Sequence, residues 1–326
     1  MVDQFRDIHV ENARGAFYEW QSVADTRIQA LDTIMVDVED QRWLQIAWLC
    51  STCAVLVRLD SPQRRTVFSS PTHHILTALC IVEGSHIVVG DVRGSVSLVN
   101  CDVGQEFGLL IHCVEEAHHS APVCALQRLP LQPSRFVSAG GNNVIVLWEH
   151  NEGTLVALAE VDLRKVDLVS VHGLRTVRLC QQDPSTIDII AVTRGGDVVS
   201  SPLVVTSSPK GGDTSQVAPR STTQSYCVSG LGASTTSCLL HDEERNIIVT
   251  CSKDVCVWNA SSLALLRKCS LKDTATALCS SHNNAILAVC VGGRSIIGQR
   301  PLGDQPFRLD KSGTCCVSHF CAPPGL

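Results

Sequence analysis

Residues 138–148 read Ser-Ala-Gly-Gly-Asn-Asn-Val-Ile-Val-Leu-Trp. A short polar, glycine-bearing stretch lies between apolar runs. That is the composition of a strand, a tight turn and a second strand. The same design recurs at Ala47–Val57, Val89–Val99, Ala191–Ser201, Thr250–Trp258 and Val289–Gln299. Each places Gly, Asn, Asp, Ser or Lys at the turn.

The six hairpins end at residues 57, 99, 148, 201, 258 and 299, so the repeat is 41–57 residues long. A further apolar strand precedes each hairpin: 28–37, 75–82, 123–129, 174–180, 235–241 and 274–281. A seventh copy of that strand follows at Thr314–Phe320. Units of about 40–50 residues with about four strands each imply an all-β propeller. The apolar alternation is imperfect, as expected of strands covered on both faces. No segment holds a helical period for long, and the best helical candidate, residues 161–170, is short.

The hairpins ending in Trp148 and Trp258 resemble the last strands of WD-repeat blades, which close on Ser-Gly-Ser-x-Asp-Gly-x-apolar-x-apolar-Trp-Asp. The turn Gly90–Ser95 matches as well, with Val99 in the Trp position. The resemblance covers roughly residues 27–310 and implies a His, Ser/Thr, Asp and Trp network bracing each blade. In the third blade His118 (or His119), Ser138 and Trp148 supply three members, and Asn142 takes the Asp position. In the fifth blade Thr250, Asp254 and Trp258 are present, with no obvious upstream His.

Three regions follow from this reading. Residues 1–26 close the last blade, residues 27–310 form six blades, and residues 311–326 give one strand to a partial seventh. The ring is then either seven-bladed with a split, incomplete last blade, using strands from Phe5–Trp20, or six-bladed and open. An open blade would present an edge that a partner strand could complete. Scaffold propellers of vesicle coats and nuclear pores use such a device. The stretch 206–224 is rich in Ser, Thr, Gly and Pro and reads as a flexible loop.

Composition narrows the function. With 44% hydrophobic and 18% charged residues the chain reads as globular. A net charge of −6 offers no general attraction to nucleic acid. The start, Met-Val-Asp-Gln-Phe-Arg-Asp, carries no apolar run, so no secretory leader is expected, and neither is a membrane span. The 17 cysteines therefore read as reduced thiols in a cytoplasmic or nuclear protein. Cys50-Ser-Thr-Cys53 falls in a hairpin and lacks a second ligand pair for zinc. Asp32 and Asp273 flank first strands and read as structural. No catalytic set or cofactor motif is present, so neither enzyme activity nor a cofactor is expected.

The hairpin turns carry Arg93, Arg194, Lys253 and Arg294, a basic residue in four of six blades. They are the candidate partner-binding residues, suited to an acidic or phosphorylated peptide. The expected function is a non-catalytic scaffold or adaptor within a multiprotein complex, with acidic or strand-donating proteins as partners. A propeller-based hydrolase and a ubiquitin-ligase substrate receptor are the alternatives. The Trp-Asp-x-Arg motif of the latter is absent after Trp148 (Glu149-His150-Asn151) and after Trp258 (Asn259-Ala260-Ser261).

Overall fold

The structure is a computed structural model that describes residues 7–11, 17–21, 28–38, 41–58, 65–82, 85–101, 106–129, 131–163, 174–183, 186–193, 198–204, 226–228, 238–242, 245–251, 254–270, 275–280, 286–290, 296–299 and 307–309. Among these residues strand follows strand. The first two, β1 (Asp7–Glu11) and β2 (Phe17–Gln21), pair with each other as an antiparallel hairpin.

Six four-stranded sheets follow, each a meander in chain order. The first blade holds β3 (Ile28–Val38), β4 (Gln41–Cys50), β5 (Cys53–Arg58) and β6 (Arg65–Ser69). The second holds β7 (Leu76–Val82), β8 (His86–Asp91), β9 (Val96–Asn100) and β10 (Leu109–Val114). The third holds β11 (Val123–Leu129), β12 (Gln132–Gly140), β13 (Val144–Asn151) and β14 (Thr154–Asp162). The fourth holds β15 (Leu174–Asp183), β16 (Thr186–Thr193), β17 (Val198–Val204) and β18 (Tyr226–Val228). The fifth holds β19 (Cys238–Asp242), β20 (Ile247–Cys251), β21 (Asp254–Asn259) and β22 (Leu265–Ser270). The sixth holds β23 (Ala275–Ser280), β24 (Ile286–Cys290), β25 (Ile296–Gln299) and β26 (Phe307–Leu309).

The two strands of every hairpin read from the sequence pair with each other, and a first strand precedes each, beginning among the described residues at Cys238 in the fifth blade; the turns at 194–197, 252–253 and 291–295 lie outside the described residues. The fourth strand of each blade is new. Val161 and Asp162, the start of the short helical candidate, close β14 instead. The loop 206–224 and the strand expected at Thr314–Phe320 lie outside the described residues. Among the described residues, no helix is long and apolar enough to cross a membrane.

The chain divides into two compact units, Met1–Val161 and Asp162–Leu326. In the first unit, Ala47, Leu49, Ala54, Leu56 and Phe68 of the first blade pack on Leu79, Ile81, Ile87, Val89 and Val99 of the second. The opposite face of the second blade, with Cys80, Val88, Val96 and Leu98, packs on Val123, Phe136, Val146 and Trp148 of the third. In the second unit, Ile190, Val192 and Val198 of the fourth blade meet Ile248, Cys256 and Trp258 of the fifth. Both faces of the middle strands are thus buried. This explains why β8 is apolar at Ile87, Val88 and Val89 in succession rather than alternating.

A bulge recurs at one register. The first strand skips a residue against its partner between Ile28 and Ala30, Leu76 and Ala78, Val123 and Ala125, Leu174 and Thr176, and Ala275 and Ala277. In the fifth blade the matching register falls on residues outside the described ones. The extra residue interrupts the ladder, and its own side chain can take up the slack. Thr77 Oγ1 donates to Gly90 O (3.3 Å) and, across to the next blade, to Val123 O (2.6 Å). Cys124 Sγ donates to Ala139 O (3.0 Å), the carbonyl matching Gly90 O.

That close approach explains Gly90. A Cβ there would lie 2.6 Å from Cβ of Val123. Gly90→Ala therefore forces the second and third blades apart and costs about 1–3 kcal/mol, to be measured by urea unfolding; an unchanged midpoint would show that the contact yields freely.

Candidate interaction surfaces and the network that holds them

Trp148, Ser138 and His118 meet inside the first unit. Ser138 and His118 are fully buried and Trp148 nearly so. The indole Nε1 of Trp148 donates to Ser138 Oγ (2.7 Å), and His118 Nε2 lies 2.7 Å from the same hydroxyl. His118 comes from the segment leading into the third blade. Its N–H reaches Gly94 O in the second blade's turn (3.1 Å). Its carbonyl accepts from Asn142 Nδ2 (3.1 Å), while Asn142 Oδ1 accepts from Val144 N (3.2 Å). His119 is exposed, so the structure selects His118 from the adjacent pair.

The Asp-to-Asn replacement has a consequence. His118 Nδ1 is buried and makes no hydrogen bond. Burial above all, helped by the neighbouring His119 and opposed by the Asn142 side chain, brings its pKa down to about 4. Asn142 lies close enough to favour the imidazolium but is not aimed to bond Nδ1. A Cβ at Gly140 would collide with both groups, which explains the glycine.

In the fifth blade Trp258 Nε1 donates to Thr250 Oγ1 (3.0 Å). Asp254 lies elsewhere, its carboxylate 3.0 Å from Lys268 Nζ on the neighbouring strand. Strand register shows why tryptophan appears in these two blades. The hydroxyl position is Ser138 opposite Leu126 and Thr250 opposite Leu239. In the other blades it is Trp48, Val89, Ala191 and Ala288. The tryptophan position in those blades is Val57, Val99, Ser201 and Gln299. A buried indole N–H is costly without an acceptor, and in these two blades the hydroxyl at this register supplies one. Trp48, seated in the hydroxyl's own place, has a buried Nε1 without a hydrogen bond.

No family model matches the chain, and no curated protein does. Solved structures do. The chain resembles the crystal structure of Saccharomyces cerevisiae Sqt1 with a TM-score of 0.63 at 9% identity, covering 93% of this chain and 82% of that one. It resembles the C-terminal WD40 domain of Sif2 with a TM-score of 0.54 at 13% identity, covering 84% and 70%. The fold is a β-propeller like that of the Sif2 WD40 domain.

On this propeller the second blade's hairpin turn is held rigidly. Asp91 Oδ1 accepts from Arg93 N (2.8 Å) and Ser95 N (2.9 Å), and Gly94 takes a φ of 85°. The other oxygen, Oδ2, lies 3.2 Å from His74 Nδ1. Asp91 is 7% exposed, whereas Arg93 is exposed at the crown of the turn. Arg194, Lys253 and Arg294 lie outside the described residues.

At the free edge of β7, Asp32 and Arg128 fasten three blades together. Asp32 Oδ2 accepts from Ile81 N (2.8 Å), and Arg128 Nη1 donates to Ile81 O (3.2 Å). Both charged side chains satisfy peptide groups of an edge strand that would otherwise lack partners. Cys80 beside them is held protonated: burial raises its pKa most, Asp32 adds to this and Arg128 opposes it. Cys50 and Cys53 face each other across the turn of the first blade. Among the described residues, no group of three or more His, Cys, Asp or Glu stands ready for a metal ion.

Two outcomes test the network. Ser138→Ala leaves Trp148 Nε1 and His118 Nε2 buried without partners, at a cost of about 2–5 kcal/mol; Thr250→Val strands only one indole and costs about 1–3 kcal/mol. Equal losses in denaturant would refute the shared hydroxyl. The histidine sets a pH slope. Its folded pKa of about 4 lies below the ordinary 6.5, so the unfolded chain takes up a proton that the native state refuses. Its contribution is intact above pH 6.5 and is lost as pH falls toward about 4, by about 3 kcal/mol at most. Unfolding titrations of the wild type should show this fall, and His118→Gln should lack it.

Proposed function

We propose that this propeller is a non-catalytic protein-interaction scaffold, a subunit of a larger assembly in the cytoplasm or nucleus. The observation that carries the reading is the turn of the second blade. A buried carboxylate pins its backbone, and an exposed arginine stands on top. A side chain offered from a fixed backbone binds with little ordering cost. An acidic or phosphorylated peptide segment fits it, because a guanidinium takes carboxylate and phosphate oxygens in a bidentate geometry. Arg194, Lys253 and Arg294 extend that reading to the turns of other blades.

The acid- and base-capable side chains described above support the same view, since they hold backbone and one another. Asp91 fixes a turn, Asp32 caps a peptide N–H, His118 shares the Ser138 hydroxyl and Asp254 holds Lys268. Strand addition is the second mode of binding in this reading, and the two-stranded β1–β2 sheet, which has half the strands of each blade, is where it would act.

Arg93→Glu tests the reading. The turn uses the backbone N–H of residue 93, which the substitution retains, so the melting temperature stays within about a degree or two. Affinity purification with mass spectrometry should lose partners that the wild type retains. The same set of proteins at the same yield from both would remove the rim from the mechanism.

A further inference from the structure

A row of apolar side chains lies on the outer part of the second blade. Phe107 is 67% exposed, Leu109 60% and Ile111 38%. Single exposed apolar residues are ordinary, but here three follow one another closely, Phe107 just before β10, Leu109 at its start and Ile111 at its bulge. The row is not loose. Val67 N donates to Glu106 O (2.9 Å) and Gly108 N to Val67 O (2.9 Å), so β6 clamps its first end. At the other end Ile111 lies against the turn of the third blade, where a Cβ on Gly153 would come within 3.2 Å of its Cγ2. Leu155 N donates to His112 Nδ1 (3.2 Å) just beyond.

The charge along this stretch of the chain is one-sided. Residues 101–163 contain eight Asp or Glu against two Arg and no Lys. Both arginines are engaged within the fold: Arg135 pairs with Glu149 (2.8 Å) and Arg128 bonds Ile81 O (3.2 Å). Glu106 adjoins Phe107, Glu152 adjoins Gly153 beneath Ile111, and both glutamates are exposed.

We propose that this row docks an extended segment of another protein in which apolar side chains alternate with Lys or Arg. An extended partner suits the row, because residues 107, 109 and 111 are exposed while Gly108 and Leu110 between them face the core, and an extended chain likewise presents every second side chain to one side. Apolar side chains cover Phe107, Leu109 and Ile111, and the cations meet Glu106 and Glu152. A second copy of this chain fits poorly. A two-fold pairing would set the same patch against itself and bring its own glutamates together. The site differs in place and in sign from the arginine-bearing turn.

Fluorescence anisotropy on the full chain tests this, with a labelled short peptide alternating Val and Lys as probe. Peptides alternating Val with Glu, or Ser with Lys, serve as controls. The Val–Lys peptide binds, and both controls bind at least about ten-fold more weakly. Phe107→Ser with Leu109→Ser weakens the Val–Lys peptide by about ten-fold or more. Glu106→Lys with Glu152→Lys weakens it and flattens its salt dependence. All these residues are exposed, so melting temperatures hold. Arg93→Glu leaves this binding unchanged, which separates it from the rim. The proposal is overturned if the wild type does not bind the Val–Lys peptide, if the Ser–Lys peptide binds as well, or if the serine variant is indifferent. Sedimentation showing a dimer that the serine variant dissolves would assign the row to a second copy and overturn it equally.

Discussion

Face-to-face stacking of sheets at close range governs this molecule. Blades one to three bury Ala47, Leu49, Leu79, Ile87 and Val89 in one seam and Val88, Leu98, Phe136 and Trp148 in the next. A sheet covered on both sides has no solvent face on which to leave a misfit. Side chains must shrink where backbones converge, as Gly90 does against Val123. Ladder groups released by a bulge must find partners within reach, as Thr77 and Cys124 provide. The bulge returns at one register in five blades because the same packing problem returns with each repeat.

The same constraint sorts the polar residues. Inside the stack an indole is tolerated beside a hydroxyl, so Trp148 follows Ser138 and Trp258 follows Thr250. Where the hydroxyl is Val89, Ala191 or Ala288, the tryptophan is gone too. His118 joins one of these pairs, and burial, with no anion to oppose it, keeps the ring neutral. Asp91, Asp32 and Arg128 hold backbone groups of a turn and of a strand edge.

Function is therefore left to what the stack cannot cover. One such place is the crown of the second blade's turn, which presents Arg93. Another is the outer part of the same blade, where Phe107, Leu109 and Ile111 lie among glutamates. A single blade thus offers a cationic point and an anionic-apolar row, and in the proposed scaffold reading the two would take partners of opposite charge.

By itself the sequence determined the hairpins, the first strands and the repeat, since two apolar runs around a polar turn can do little else but pair. It also marked Ser138, Trp148, Thr250 and Trp258 through a motif. The outer strands escaped it. In β14 exposed and buried positions follow no period, because an outer strand is covered only in places. Asp254 kept its place in the repeat, but its carboxylate lies beside Lys268. Tertiary structure alone chose His118 over its neighbour His119 and brought Asp32 to Ile81, 49 residues away. Pairing within a hairpin is local and follows from pattern; which side chain meets a distant backbone depends on how the sheets stack, and no local pattern encodes that distance.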